Sequence, residues 1–532
     1  MIGGMQDWPL RIPRLIDHAA REHGGREIVS RWADGTTTRT NWAGVARDAR
    51  RLANALTRMG IGRGDRVATL AMNHSRHLAT WYGVIGMGGV VHTINPRLFD
   101  DQLAYIANHA EDRVLFYDAA FAPIVERMKP RWTSIERYVC FDPAEAGAGF
   151  EELIANEDDD FIWVEGDERE PALLCYTSGT TGNPKGVLYE HRSTVLHAMA
   201  EIAPDVFDLS ARTVALPIVP MFHVAAWGLP FSTAMVGCKL VFSADYRPDV
   251  LCELLAAERV THSAGVPTVW ASLIAHVEAT GAGLGPLRLV TIGGSAAPRA
   301  MIEWFTERGI RVMHAWGMTE TSPIGTSGAP PAHWDEMNAD ERLDYAVTQG
   351  RVPFGVELRV AGPDGATLPR DGVSAGALQI KGPWVIDRYF GDETGPAVGA
   401  DKWFDTGDVA VIRPDGVMRI TDRAKDVIKS GGEWISSIEL ENAAVGCAGV
   451  AEAAAVGVSH PKWDERPLLL VVRRPGAEVS ADAIIEHLGR HVAKWWLPDE
   501  IIFVDALPHT ATGKLLKTAL RERYKDHRLP TA

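Results

Sequence analysis

Short apolar runs of β-type residues alternate along most of the chain with longer stretches patterned for helices. "RVATLAM" (66–72) reads as a strand, followed by a helix from His77 and a second strand, "GGVVHTI" (88–94). A helix from about Phe99 leads to the strand "RVLFYD" (113–118). "THSAGV" (261–266), "LRLVTIGG" (287–294) and "IRVMHAW" (310–316) are further strands separated by helical segments. Such alternation implies mostly parallel sheets with helices on their faces. Ligands of these folds sit beyond the carboxyl ends of strands, where "TIGGSAAP" and "HAWGMTE" fall. The stretch 323–349, rich in Pro, Ala, Asp and Glu, reads as an excursion loop.

From Gly350 the pattern changes to short strands with turn signals, "VELRVAGPDG", "GALQIKG" and "GVMRITD", which predict a small β-rich subdomain or barrel. Beyond "TDRAKDVIKSGG" follows a compact α+β unit. Its strands are "AEAAAVGV", "PLLLVVRR" and "IIFVDALP". Its helices are "SSIELENAAV" and "ADAIIEHLGRHVA", the second placing Ile484, Ile485, Leu488 and Val492 on one face. The expected organisation is an α/β chain with a large N-terminal domain over 1–424, layered α/β to about 349 and β-rich over 350–424. A small α+β domain over 425–532 completes it, with the boundary at Lys425.

Composition narrows the function classes. At 532 residues, 46% hydrophobic and 23% charged, the chain has ordinary globular values and length for several cores. Its 54 basic and 69 acidic residues give a net charge of −15, which argues against a nucleic-acid or anionic-membrane binder. Five scattered cysteines form no CxxC pair and no zinc spacing, so they read as buried thiols in a reducing compartment. The N-terminal "MIGGMQDWPLRIPRL" has no basic region followed by an apolar one, and the longest apolar run, "WYGVIGMGGVV" (81–91), is too short to span a bilayer. A cytoplasmic protein without a stable membrane anchor is expected.

The candidate chemistry begins with "YTSGTTGNPKG" (176–186), too polar and glycine-rich for a core. Backbone N–H groups, hydroxyl donors and the Lys185 ammonium suit a phosphate, although the spacing is not that of the Walker loop. The other motifs follow in order: "PMFHVAAWG" (220–228), "GGSAAP" (293–298), "HAWGMTET" (314–321), "WFDTGD" (403–408), "DRAKDVIKSGGEWISSIELE" (422–441) and "TATGKLLK" (510–517). Together they resemble the adenylate-forming superfamily of acyl-CoA synthetases, adenylation domains and luciferases. The resemblance covers almost the whole chain. "PMFHVAAWG" and "KSGGEWISS" are most similar to the bacterial medium- and long-chain fatty acyl-CoA synthetases and the methylmercaptopropionate-CoA ligases. Trp316 and Met318, where long-chain relatives carry Tyr before GxTE, lean toward the medium-chain and methylmercaptopropionate branch.

The resemblance implies an ATP-dependent ligase with Mg²⁺ and CoA, activating a medium- or long-chain carboxylic acid as acyl-AMP before transfer to CoA. Thr177, Ser178, Gly179, Thr180, Thr181, Gly182 and Lys185 would embrace the triphosphate. Thr177 and Glu320 would hold the metal, with Gly317, Met318 and Thr319 beside them. Trp316 would stack on adenine, bordered by Gly294, Ser295, Ala296, His314 and Ala315. Asp408 would bind the ribose, supported by Arg423. Lys514 would bridge the carboxylate and the α-phosphate. Lys425 would be the pivot on which the small domain turns between half-reactions. Gly431 and Gly432 would then admit pantetheine, with Lys429 and Trp434 on the nucleotide side. Trp227 would gate the acyl tunnel beside Val224 and His223. A homodimer is carried as an implication of the same resemblance. The alternatives are a ligase for a short sulfur-containing or aryl acid, and an acyl-AMP ligase loading a carrier protein.

Overall fold

A computed structural model describes residues 3–142, 149–177, 183–391, 395–431, 433–509 and 515–532, with Glu433 and Trp434 described by their backbone alone. Two sheets form the larger part. The first runs in the order Arg137–Cys140, Asp112–Tyr117, Arg66–Leu70, Val90–Thr93, Pro171–Tyr176, Gly186–Glu190, parallel except for the last pair. The second runs Ile324–Ser327, Arg311–Gly317, Leu289–Ile292, His262–Gly265, Val214–Pro217, Lys239–Ser243, Glu27–Arg31, Thr37–Asn41 and is antiparallel only at its two edges. Inner strands such as Leu289–Ile292 are buried on both faces, so they read as apolar runs rather than as alternation.

The apolar run 81–91 divides between the buried helix Ser75–Gly86 and the strand Val90–Thr93. A Cβ on Gly83 would stand 2.7 Å from the Ala49 carbonyl, so this glycine permits the helix to pack tightly on its neighbour Trp42–Arg58. No helix of the described residues is long and apolar enough to cross a membrane. All five cysteines are buried, with no disulfide between them.

The β-rich unit is a four-stranded antiparallel sheet, Glu357–Ala361, Gly376–Lys381, Phe404–Ile412 and Met418–Arg423. The last unit is built on the hairpin Val450–His460 and Asp464–Arg473, joined by Glu500–Phe503 in parallel and by the short pair Ile428–Ser430 and Glu433–Ile435. The helices Ser437–Val445 and Ala481–Leu488 cover it, burying Leu440, Ile484 and Leu488 against Leu469 and Val471.

Two expectations are corrected. The stretch 323–349 is not a loop: Ile324–Ser327 is a fully buried edge strand, and Ala339–Ala346 is a helix. Asn338 caps that helix through the Glu341 amide at 3.0 Å while Glu341 returns a bond to the Asn338 amide at 2.8 Å. The helix expected over 481–493 ends at Leu488, before Gly489, although Val492 still packs on the same core.

Five of the buried histidines, His77, His191, His197, His262 and His314, are shifted down by their burial. Burial pushes the first three down to about 3 and the last two to about 4. Folded values below the unfolded one mean that stability is complete above the ordinary histidine pKa and is lost as pH falls through it, with a slope approaching ~1.4 kcal/mol per pH unit for each proton taken up. The melting temperature is therefore expected to drop steeply between about pH 7 and about pH 5. A flat profile over that range would contradict the neutral, buried state of these rings.

Candidate active site

The hairpin of Pro171–Tyr176 and Gly186–Glu190 carries the glycine/threonine loop at its end. Its neck is closed by the Thr177 amide donating to the Lys185 carbonyl at 2.9 Å and the Lys185 amide donating to Thr177 Oγ1 at 3.1 Å. Ser178, Gly179, Thr180, Thr181 and Gly182 lie outside the described residues, as do Gly432, Lys514 and the side chain of Trp434.

Lys185 Nζ sits 4.7 Å from the ring centre of Tyr389, and the Tyr389 hydroxyl donates to Glu320 Oε1 at 2.9 Å. A tyrosine therefore stands between an ammonium and a carboxyl that singly suit a phosphate and a cation. Burial pushes the Glu320 carboxyl up, and its own amide, Tyr389, Arg423 and Lys185 pull it back. The segment bearing Tyr389 is laced to both motifs: the Phe390 amide donates to the Gly186 carbonyl and the Ile386 amide to the Glu320 carbonyl, each at 2.8 Å. Nothing in "VIDRYFG" singles out Tyr389 in the sequence, because its partners lie 69 residues away and more.

A cavity of about 600 Å³ opens at the carboxyl ends of the parallel strands, bordered by Gly294, Ser295, Ala296, His314, Ala315, Trp316, Gly317, Asp408 and Arg423. Asp408 is 3% exposed. Trp316 Nε1 donates to its Oδ2 at 2.9 Å, and Arg423 Nε lies 3.0 Å from its Oδ1. Each carboxylate oxygen keeps a further lone pair for a ligand. The first of these bonds ties the carboxylate to the indole, so Asp408 and Trp316 act as a unit.

His314, on the border of this cavity, is also bonded to the chain around it. The Ala297 amide donates to its Nε2 at 3.3 Å, which leaves the proton on Nδ1, 3.0 Å from the Val347 carbonyl. The ring is neutral and buttresses the turn 294–297. Gly294 in that turn has φ +82°, which a side chain would strain. Across the cavity stand Ile438, Asn442 and His487 of the C-terminal unit.

A second cavity, about 290 Å³, shares Gly294, Ala315, Trp316, Gly317 and Arg423 with the first and continues past Thr177, Met318, Thr319 and Glu320. His223, Val224 and Trp227 border it, and the rest of its wall includes Phe207, Ile218, Val219, Phe222, Val266 and Val269, with Arg97 at one side. Val224, Ala225, Ala226 and Trp227 all have φ between +42° and +54°, a left-handed turn that costs about 1–2 kcal/mol for each non-glycine residue. Such a turn persists only where its surroundings fix it. Trp227 is held because Gly293 has no side chain: a Cβ there would lie 3.1 Å from the Trp227 ring. The preceding loop is fixed by buried Asn73, whose Nδ2 donates to the Pro217 and Val219 carbonyls at 3.0 and 2.9 Å and whose Oδ1 accepts from the Met221 amide at 2.6 Å. Asn73 was also missed, for the same reason of distance along the chain.

Lys425, Lys429 and Gly431 border neither cavity. The Lys429 amide donates to Glu465 Oε2 at 2.9 Å and the Gly431 amide to the Trp463 carbonyl at 2.7 Å. Gly431 has φ +61°, and a Cβ on it would come within 2.9 Å of the Trp463 ring. Its missing side chain is therefore already required by the protein's own packing.

The family model described as AMP-binding enzyme matches residues 16–390, and that described as AMP-binding enzyme C-terminal domain matches 439–514. A 3-methylmercaptopropionyl-CoA ligase of Ruegeria lacuscaerulensis is 49% identical, with 99% of each chain covered. A medium-chain-fatty-acid–CoA ligase of Ectopseudomonas oleovorans is 48% identical over 99% of this chain and 98% of its own. The fold is shared with the crystal structure of the anthranilate CoA ligase AuaEII in complex with anthranoyl-AMP, at a TM-score of 0.87, 23% identity and coverage of 98% and 99%.

Proposed function

The chain belongs to the AMP-binding enzyme family and is an AMP-forming acid–thiol ligase that uses ATP and CoA; from that premise we propose that its acid is a medium- or long-chain fatty acid. The observation that carries this reading is the largely apolar wall of the smaller cavity, where Phe207, Ile218, Val219, Phe222, Val266 and Val269 stand beside Val224 and Trp227. The second reading, a short sulfur-containing acid, is favoured by the 49% identical methylmercaptopropionyl-CoA ligase.

In the first half-reaction a carboxylate oxygen attacks the α-phosphorus of ATP, the bond to the bridging oxygen breaks, and pyrophosphate leaves. Both reactants are anions, so the work of the site is alignment and charge balance. The loop from Thr177 to Lys185 embraces the triphosphate. Asp408 accepts from the ribose hydroxyls, Trp316 borders the adenine, and Lys514 neutralises the meeting of carboxylate and phosphate. Glu320 and Thr177 are oxygen donors that suit Mg²⁺, which takes one or two protein ligands beside phosphate and water. When bound, the cation neutralises charge on the phosphate oxygens.

In the second half-reaction the CoA sulfur attacks the acyl carbonyl, the acyl–phosphate C–O bond breaks, AMP leaves, and the thiol proton is released. Lys514 has no task there. The small domain, 425–532, turns about Lys425 to bring Gly431 and Gly432 toward the thiol, with Lys429 and Trp434 beside the nucleotide. Supporting this division, the last strand of the four-stranded sheet ends at Arg423, and in the turn that follows Asp426 already pairs with Arg521 of the small domain.

The test is AMP formation across acids from acetate and methylmercaptopropionate through octanoate to palmitate, with several aryl acids. A maximum at medium or long chains is expected. A maximum at the short sulfur acid overturns the substrate and keeps the mechanism. Trp227→Ala is expected to move that maximum by two or more carbons, or flatten it, while the ATP KM changes less than about 3-fold. An unaltered chain-length profile would remove Trp227 from the acyl path.

A further inference from the structure

His109 stands on the helix Asp100–Ala110 and borders neither cavity, yet it touches both segments that set the phosphate end of the site. On one side its Nδ1 is hydrogen-bonded at 2.6 Å to the hydroxyl of Tyr176, the last residue of the strand that enters the glycine/threonine loop. On the other side its ring meets Phe390 edge-on, with 5.3 Å between ring centres. Gly391, at φ +65°, approaches so closely that a Cβ there would stand 2.7 Å from His109 Nε2. Tyr105 stacks on the same ring at 5.2 Å.

Tyr176 and Phe390 also meet across Gly186, where the loop returns to the sheet. A Cβ on Gly186 would come within 3.3 Å of the Tyr176 ring and 3.1 Å of Phe390 Cβ. Gly186 follows Lys185, and Phe390 follows Tyr389, the ring between the Lys185 ammonium and the Glu320 carboxyl. One imidazole thus holds the entry of the loop and, through Phe390 and Gly391, the segment that carries Tyr389. Packing alone does not require its nitrogen, since an apolar side chain at 109 facing a phenylalanine at 176 would fill the space. A hydrogen bond is directional and fixes the rotation of both rings, and Tyr176 is only 9% exposed. Such precision matters where a displacement of about 1 Å can cost about 10²-fold in rate.

Resting on the reading that this loop embraces the triphosphate, we propose that His109 is a positioning residue of the adenylation step. Bonded to Tyr176 and packed on Phe390 and Gly391, it locks the neck of the loop to the Tyr389 segment. Lys185 and Glu320 then keep the spacing that the triphosphate needs.

The experiment is a double-mutant cycle of Tyr176→Phe and His109→Ala, with the half-reactions measured separately. Each single variant is expected to raise the ATP KM and slow pyrophosphate release by about 3–10-fold, the worth of one hydrogen bond. The double variant should match the worse single within about 2-fold, because the two remove the same bond. His109→Asn, whose amide reaches the place of Nδ1, should recover most of the loss. Thioester formation from supplied acyl-AMP and CoA should stay within about 2-fold throughout, a separation that a general loss of folding would not produce. Equal losses in both half-reactions overturn the proposal, as do losses that multiply in the double variant. An unchanged ATP KM in Tyr176→Phe, which removes one oxygen and keeps the ring, overturns it as well. Lys185→Ala with an ordinary ATP KM would fail the reading of the loop itself, and that outcome is distinct because the variant leaves His109 and Tyr176 in place.

Discussion

Lys514→Ala is expected to abolish acyl-AMP formation, lowering pyrophosphate release by about 10²–10³-fold, the loss seen when one preorganised charge or donor is removed from a developing anionic centre. Overall thioester synthesis should fall with it. Thioester formation from supplied acyl-AMP and CoA should persist, because no triphosphate is present in that step and the two carboxylate and phosphate charges are already joined. Lysine acts here as a fixed cation, so Lys514→Arg should recover part of the first step where Lys514→Ala does not. Equal losses in both half-reactions would show that Lys514 supports the small domain rather than the phosphate. The comparison needs only pyrophosphate release and thioester appearance, measured separately on one preparation.

Asp408→Ala should weaken ATP binding by about 10²–10³-fold, the worth of two hydrogen bonds to a charged acceptor. The structure adds a second consequence. The Trp316 indole and the Arg423 guanidinium both bond to Asp408, so its removal leaves a buried N–H unpaired and a cation without its partner. The fluorescence of Trp316 should change in the free protein, before any nucleotide is added. Asp408→Asn is the sharper control: it retains one carbonyl for Trp316 or Arg423 but loses the charge, and its loss in ATP affinity should be intermediate. An Asp408→Ala enzyme with ordinary ATP affinity would place the ribose elsewhere.

Much of the site was legible in the sequence because its parts are local. A loop dense in Gly, Ser and Thr, a strand followed at once by "GGSAAP", and a second followed by "GMTE" each declare their chemistry within ten residues. The strands carrying them could be read from their apolar runs, and the parallel order of the sheets follows from the alternation with helices. Within 323–349 the capping pair Asn338 and Glu341 is a local signal of a helix start. The edge strand Ile324–Ser327 has no such signal, because a four-residue run "IGTS" has no periodicity and becomes a strand only by pairing with Arg311–Gly317.

By itself, then, the sequence determined the sheet-and-helix class, the order of the motifs and the kinds of ligand that each loop can hold. Only the tertiary structure decided how those pieces meet. It set Tyr389 between Lys185 and Glu320, joined Trp316 to Asp408 across 92 residues, and brought Phe222, Val266 and Val269 together on the wall of the smaller cavity. It also showed that Gly431 and Gly293 are bare to admit Trp463 and Trp227. Periodicity and turn chemistry are properties of neighbours in the chain, whereas desolvation, hydrogen-bond satisfaction and the shape of a cavity depend on residues brought together from distant positions.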